Sequence, residues 1–289
     1  MSADNASNLA PANASDVMVI RKLSPNITTL SLPFARFGKL RIGGRGTIGL
    51  YLLFGRDVDN QVVRLRSGAL AVFSPVALTP EVKDVVTALG GNLRYMIAPD
   101  MEHHLFLGPW HQAFPEAKVI GPGGLPEKRA HQKNETVPFS HVFTPNNCKD
   151  LKIDPEFDAE FDYEYVYGHV GKELVFNYKP EKTLIEADLM FNLPAKEQYS
   201  RGGETNGSGL LTKLFTSINS TYGAATWQKR FIWYASSSKD RPAFNRSIAR
   251  IEKWDFDKIV MCHGDVIESG GKGIFRKVFE WHLQAVQKL

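Results

Sequence analysis

The sequence predicts an α/β protein in which two successive sheet-and-helix halves form a layered core with helices outside. Three observations carry this expectation. From Val17 to about Gly68, short apolar runs alternate with Gly and Asn turns. From Ala69 to Ile120, strand patterns and helix patterns follow one another. A second run of strands, followed by amphipathic helices, fills the chain from Phe161 to Leu289.

The elements can be justified in order. Met18-Val-Ile, Leu40-Arg-Ile, Ile48-Gly-Leu-Tyr-Leu-Leu and Val62-Val-Arg-Leu read as antiparallel strands. Gly43, Gly44 and Gly46 suit a tight turn, because neither spacing that cradles a nucleotide phosphate is present. Ala69–Pro75 is a buried strand. Thr79-Pro80-Glu81 then starts a helix, with a hydroxyl at the cap, Pro in the first turn and an acid at the positive dipole end. Val82, Val85, Val86 and Leu89 share one face of it, and Gly90-Gly91 closes it. Leu93–Ala98 is the next strand, Leu105–Phe114 a helix and Lys118–Ile120 a strand. In the second half Phe161–Val166, Glu173–Tyr178 and Lys182–Glu186 read as strands, and Ala195–Gly209, which lacks any periodicity, as an exposed loop or lid. Ser236–Trp254 is an amphipathic helix with Phe244, Ile248 and Ile251 inward. Lys258–Met261 is a strand, and Ile274–Leu289 a closing helix with Val278, Trp281 and Ala285 inward. Trp227 and Trp233 read as core.

Composition narrows the class. With 43% hydrophobic and 23% charged residues, the 289-residue chain is neither disordered, collagen-like nor disulfide-dense. Thirty-five basic against 31 acidic residues leave +4, too mild and evenly spread to suggest nucleic acid or membrane as a partner. A small-molecule substrate is the partner expected. Cys148 and Cys262 give neither a disulfide framework nor a metal knuckle. No apolar stretch approaches the ~20 residues that span a bilayer. Residues 1–17 are expected to be a disordered tail, 18–289 a single domain, and the setting cytoplasmic, since Met1–Asp16 lacks the marks of a targeting peptide.

Histidines and acids at strand ends are the chemically informative feature. His103 and His104 follow the strand Leu93–Ala98, and Asp100 is placed to cap a helix beginning at Met101, which would put Asp100, His103 and His104 on one face. That segment is equally compatible with a capping aspartate beside two structural histidines. His169 stands in a turn between two strands, where a solvated ring is the ordinary role. Asp188 ends an apolar strand and His263 another, with Gly264 allowing close approach. Each is a weak signal alone. As a set, they occupy the carboxyl ends of buried strands, where open α/β sheets place their sites.

The order of these residues resembles the metallo-β-lactamase superfamily: a histidine-bearing loop, then Gly168-His169-Val170-Gly171, an apolar strand ending in Asp188, and a strand ending in His263-Gly264. Within it the chain is similar to a divergent subfamily described as a domain of unknown function, through Ile97–Leu107, Trp110, Phe114–Val119, Lys182–Asn192 and Trp254–Gly264. The resemblance implies an αββα sandwich, two mixed sheets with helices outside, and a metal site at one edge. The superfamily's first motif, His-x-His-x-Asp-His, falls on Pro99–His104. His104 matches its last His, His103 takes the Asp position, and Pro99 and Met101 replace the first two His. One of two metal subsites would thus have lost two ligands, leaving His103, His104, Asp188 and His263, with His169 spare or recruited. One ion is expected rather than two, zinc first, with iron or manganese as alternatives. Asp188 and Asp100 are the implied catalytic carboxylates, and Asp100 or Glu102 would orient a ligand ring or add a ligand. Lys172, Arg129 and the loop 195–209 are candidates for substrate contact.

The activity implied is hydrolysis of an unidentified ester, lactone or thioester by a water that the cation acidifies. The degenerate first motif keeps open a non-catalytic relative that binds a small molecule or a protein. A metal-dependent oxidoreductase ranks third, because the missing ligands count against a paired site.

Overall fold

The computed structural model describes residues 14–36, 40–43, 60–132, 134–201 and 209–287. Its strands in chain order are β1 (Val19–Lys22), β2 (Ile27–Ser31), β3 (Ala35–Arg36), β4 (Leu40–Arg41), β5 (Asn60–Arg64), β6 (Leu70–Phe73), β7 (Leu93–Ile97), β8 (Lys118–Pro122), β9 (His141–Phe143), β10 (Phe161–Val166), β11 (Glu173–Tyr178), β12 (Thr183–Ile185) and β13 (Lys258–Val260). Seven of them form one sheet, in the order β1-β2-β5-β6-β7-β8-β9, and four form a second, β10-β11-β12-β13. Both are mixed: β6 to β9 run parallel, as do β12 and β13, while the remaining neighbours in the two sheets are antiparallel.

Alternating side chains divide the interior into layers. Ala71 and Phe73 of β6 and Tyr95 and Ile97 of β7 meet Leu174, Phe176 and Tyr178 of β11 between the sheets. The opposite faces point outward. Leu70, Val72 and Met96 pack under the helices Pro80–Ala88 and Leu107–Ala113. Val175, Leu184 and Ile259 pack under the helices Arg241–Ile251 and Gly271–Val278. The result is the helix–sheet–sheet–helix sandwich that the resemblance implied.

Local signals place several elements as read. Thr79 Oγ1 accepts the Val82 amide at 3.4 Å and starts a helix at Pro80. Asp240 accepts the Ala243 amide at 2.9 Å and starts the helix at Arg241, five residues after the expected Ser236. The closing helix is two helices, Gly271–Val278 and Glu280–Gln287, and the break at Phe279 buries His282 where Trp281 was expected inward. The expected strand at Ile48 and the glycines 44 and 46 lie outside the described residues, as does the expected tail up to residue 13. Ala14–Val17, at the end of that tail, forms a helical turn, with Ala14 and Val17 packed on the first core.

Two other expectations are corrected. The first part of the expected lid is not exposed: Ala195, Gln198 and Tyr199 are buried, and Leu210–Ile218 beyond it is a helix. Trp227 is not core but 58% exposed, with the Arg230 guanidinium 4.8 Å above its ring.

Candidate metal centre

The parallel strands set the site. β7, β12 and β13 all deliver their carboxyl ends to one edge, and the segment after each strand carries one member of the site.

After β7, Pro99 ends the strand and Asp100 turns the chain. A single oxygen of its fully buried carboxylate, Oδ1, accepts three N–H groups: the amides of Glu102 (2.7 Å) and His103 (2.8 Å), and His103 Nδ1 (2.7 Å). This is an Asx-type turn. It replaces the helix expected from Met101; the helix here begins at Leu107. Burial pushes the Asp100 carboxyl up, but the His103 ring and these hydrogen bonds outweigh it and hold it below the usual carboxylate range.

After β13, His263 Nδ1 donates to the Gly43 carbonyl at 2.7 Å, and the ring stacks on Phe191 at a centroid distance of 5.4 Å. Gly264 has φ +100°, and a Cβ there would sit 2.2 Å from the Asn192 carbonyl oxygen, so the turn needs glycine. Gln198 fixes this turn from both sides, donating to the Cys262 carbonyl (2.9 Å) and accepting the Gly264 amide (3.1 Å).

After β12, the buried carboxylate of Glu173 accepts the amides of Ala187 (2.8 Å) and Asp188 (3.1 Å), and that of Glu186 accepts Leu189 (2.9 Å) and Met190 (3.3 Å). Burial pushes both acids well above the usual carboxylate range.

Together these segments place ligand atoms of His103, Asp188 and His263 within 4.8 Å of one another. His263 Nε2 lies 3.3 Å from Asp188 Oδ1. Neither His103 Nε2 nor His263 Nε2 has a hydrogen-bond partner, and both are buried. Each ring gives its Nδ1 proton to an oxygen, which leaves the Nε2 lone pair as the unused donor. Two buried imidazole lone pairs facing a carboxylate are costly to leave unsatisfied. A divalent cation would satisfy both nitrogens, and two nitrogens with the Asp188 carboxylate suit zinc, iron or manganese.

The remaining sequence candidates stand around this triad. His104 turns away from it: Arg129 donates to its carbonyl (2.6 Å) and approaches its Nδ1 (3.3 Å), while burial and the charges of Lys128 and Arg129 push the ring down to about 3. Arg129 is itself buried and holds this loop together, so it is not poised on a substrate cleft. His169 is buried beside the triad, and burial lowers its pKa. Its Nδ1 accepts the Gly171 amide at 3.1 Å, so the neutral ring carries its proton on Nε2. Glu102 pairs with Lys128 (2.8 Å) rather than with a histidine, and burial raises it to about 7. Glu173, Glu186 and Gln198 are the residues the sequence reading missed. A charge opening the apolar run Glu173–Tyr178, and another inside Thr183–Asp188, were the available signals.

A four-layered sandwich with a histidine–carboxylate cluster at the carboxyl edge of its parallel strands defines the metallo-β-lactamase fold. The chain belongs to the family described as Domain of unknown function (DUF4336), whose model matches residues 55–200, about half of its length. No curated protein matches it. Among solved structures it is similar to the DIM-1 metallo-β-lactamase (12% identity, TM-score 0.52, covering 93% of this chain and 97% of that one). It is also similar to a metallo-β-lactamase from Pontibacter korlensis (10% identity, TM-score 0.51, 90% and 99%). A third likeness is to the metal-soaked Flv1 flavodiiron core from Synechocystis sp. PCC6803 (11% identity, TM-score 0.58, 92% and 60%). At these identities the likeness is one of fold. No helix among the described residues is long and apolar enough to cross a membrane.

Proposed function

We propose that this chain is a metal-dependent hydrolase acting on a small-molecule ester, lactone or thioester, with one ion held by His103, Asp188 and His263. The observation that carries the reading is the pair of buried Nε2 atoms, neither of them hydrogen-bonded, that converge on Asp188. Three protein ligands are also the number that catalytic zinc keeps, with a fourth position for water or substrate. A bound ion supplies Lewis acidity to the group being attacked and acidifies a water.

The chain's own residues prepare that chemistry. Asp100 and the Gly43 carbonyl hold protons on the two Nδ1 atoms and keep the Nε2 lone pairs in place. Asp100 therefore acts through His103 as a positioning residue. Glu173 fixes the backbone of Asp188. Phe191 against the His263 ring, with Phe34 6.3 Å from it, packs that ring in place.

A non-catalytic, structural ion is the second reading, and the near-complete burial of both ligand histidines favours it. Elemental analysis of the purified protein and of its His103→Ala and His263→Ala variants, with ester and thioester turnover and thermal melting alongside, separates the readings. The expected result is about one equivalent of metal in the parent and little in either variant, with turnover lost and the fold kept. Variants that retain full metal content would rule out these ligands. Variants that lose the metal and unfold, from a parent without turnover, would establish the structural ion.

A further inference from the structure

A second recognition element lies beside the triad on the same edge. A cavity of about 430 Å³ is lined by the turns that follow β8 and β9, at Gly123 and Thr144, by Tyr165 and Tyr167, and by Lys172 and Lys239. Two short contacts tie it to the metal centre. The Gly171 carbonyl accepts the Met101 amide at 3.1 Å, and the Gly171 amide donates to His169, so Lys172 directly follows the turn that touches the His103 loop. A Cβ on Gly168 would lie 2.4 Å from the Asp240 carbonyl, and this close approach brings Lys239 to the cavity rim. The Lys172 ammonium is held by the Gly123 carbonyl at 2.7 Å.

Neither lysine forms an ion pair among the described residues. The one carboxylate on the lining, Asp240, is engaged in capping its own helix through the Ala243 amide. Burial and the neighbouring Lys172 charge both lower the Lys239 pKa, as expected for two ammonium groups sharing one space. Tyr165, Tyr167 and Thr144 complete the lining. Two cations without an ion pair among the described residues, on one concave space, match a compact oxyanion.

We infer that this cavity binds an oxyanion group, a carboxylate or a phosphate, with Lys172 and Lys239 as the recognition pair, and that the substrate of the adjacent triad carries this group. The second half of that statement rests on the hydrolase reading; the oxyanion site itself does not.

The test is calorimetric titration of the full chain at low salt with inorganic phosphate and, separately, acetate, with metal removed by chelation. Lys172→Met and Lys239→Met are compared with the parent, and thermal melting monitors the fold. The expected result is that at least one probe binds the metal-free parent, that either substitution weakens it about tenfold or more, and that the melting midpoint is little changed. Tighter phosphate assigns the site to phosphate esters, and tighter acetate to carboxylates. Absence of binding by both probes, or equal binding by parent and variants, overturns the proposal. Binding abolished by His263→Ala but not by the lysine variants overturns it too, because the anion would then sit at the triad. Retained phosphate or acetate binding in a protein that takes up no metal would leave the oxyanion site standing and the hydrolase reading fallen.

Discussion

Two buried histidine clusters in this molecule make an instructive pair. At the carboxyl edge, His103 and His263 each donate Nδ1 to an oxygen and leave Nε2 without a hydrogen bond. In the outer core of the second sheet, His282 is also buried; its Nδ1 lies 2.6 Å from Asn245 Oδ1, and its Nε2 too is unpartnered. Burial and tautomer are therefore shared. What differs is the surroundings of the free nitrogen. The edge histidines converge on Asp188 with Asp100 behind them, whereas His282 is packed among Trp233, Phe244 and Phe279. A buried imidazole marks a candidate metal site only where carboxylates complete the donor set. Among aromatic rings it is a packed, neutral core residue.

The largest expected contrast comes from removing the same kind of partner in each cluster. Asp100→Ala takes the acceptor from His103 Nδ1 and from two backbone amides; Asn245→Ala takes it from His282. Loss of an oriented ligand partner should weaken metal binding about 10–100-fold in Asp100→Ala. Asn245→Ala should leave metal affinity unchanged while costing about 1–3 kcal/mol of stability for the unsatisfied group. Metal titration with denaturant unfolding on both variants checks the pair. Equal effects on metal affinity would erase the distinction.

Acid should separate the clusters next. Burial, then the charge of Arg241, pushes His282 down to about 3, against about 6.5 for an unfolded histidine. Between those values the unfolded chain binds more protons, so stability is lost as pH falls below about 6.5, and the loss is complete only near pH 3. By pH 5 this one group should cost about 2 kcal/mol. His282→Asn, whose amide can still donate to Asn245, should flatten the acid limb of the stability curve by up to one proton. His104 and His169, also buried and lowered, keep part of that limb in place. An acid limb unaltered by His282→Asn would show that this ring is solvated in the native state.

The clusters also differ in how far the sequence discloses them. β10 and β11 were read at their observed bounds, because period-two alternation and turns are local signals. Of the triad, Asp188 and His263 each end an apolar strand and His103 follows one, which makes them legible in the sequence. What supports them was not legible. Gln198 reaches Gly264 across 66 positions, and Glu173 reaches Asp188 across a hairpin, so neither contact leaves a periodic trace. The resemblance implies His104 as a ligand beside His103, and a helix from Met101 would put both on one face. An Asx turn at Asp100 replaced the helix, and Arg129, 25 positions on, draws His104 away. His282 escaped notice for a similar reason: the break at Phe279 shifts the helical phase and buries position 282 instead of Trp281.

Glu102 supplies the finest test of what belongs to the metal centre. It adjoins His103 in sequence, and the resemblance made it a candidate partner or ligand. Its side chain instead meets the Lys128 ammonium at 2.8 Å, and Lys128 also donates to the Met101 carbonyl. Burial raises its carboxyl to about 7, so near neutral pH it already exists partly in the uncharged form that glutamine imitates. Glu102→Gln should therefore change metal affinity by less than about fivefold, below the range for true ligand partners. Its effect on stability should be small as well, of order 1 kcal/mol for a partly exposed ion pair. Metal titration at pH 6 and pH 8 checks this: a loss that appears only above pH 7 would mean that the charged carboxylate stabilises the bound cation. That result would bring Glu102 into the centre and widen the carboxylate environment that sets this edge apart from the His282 cluster.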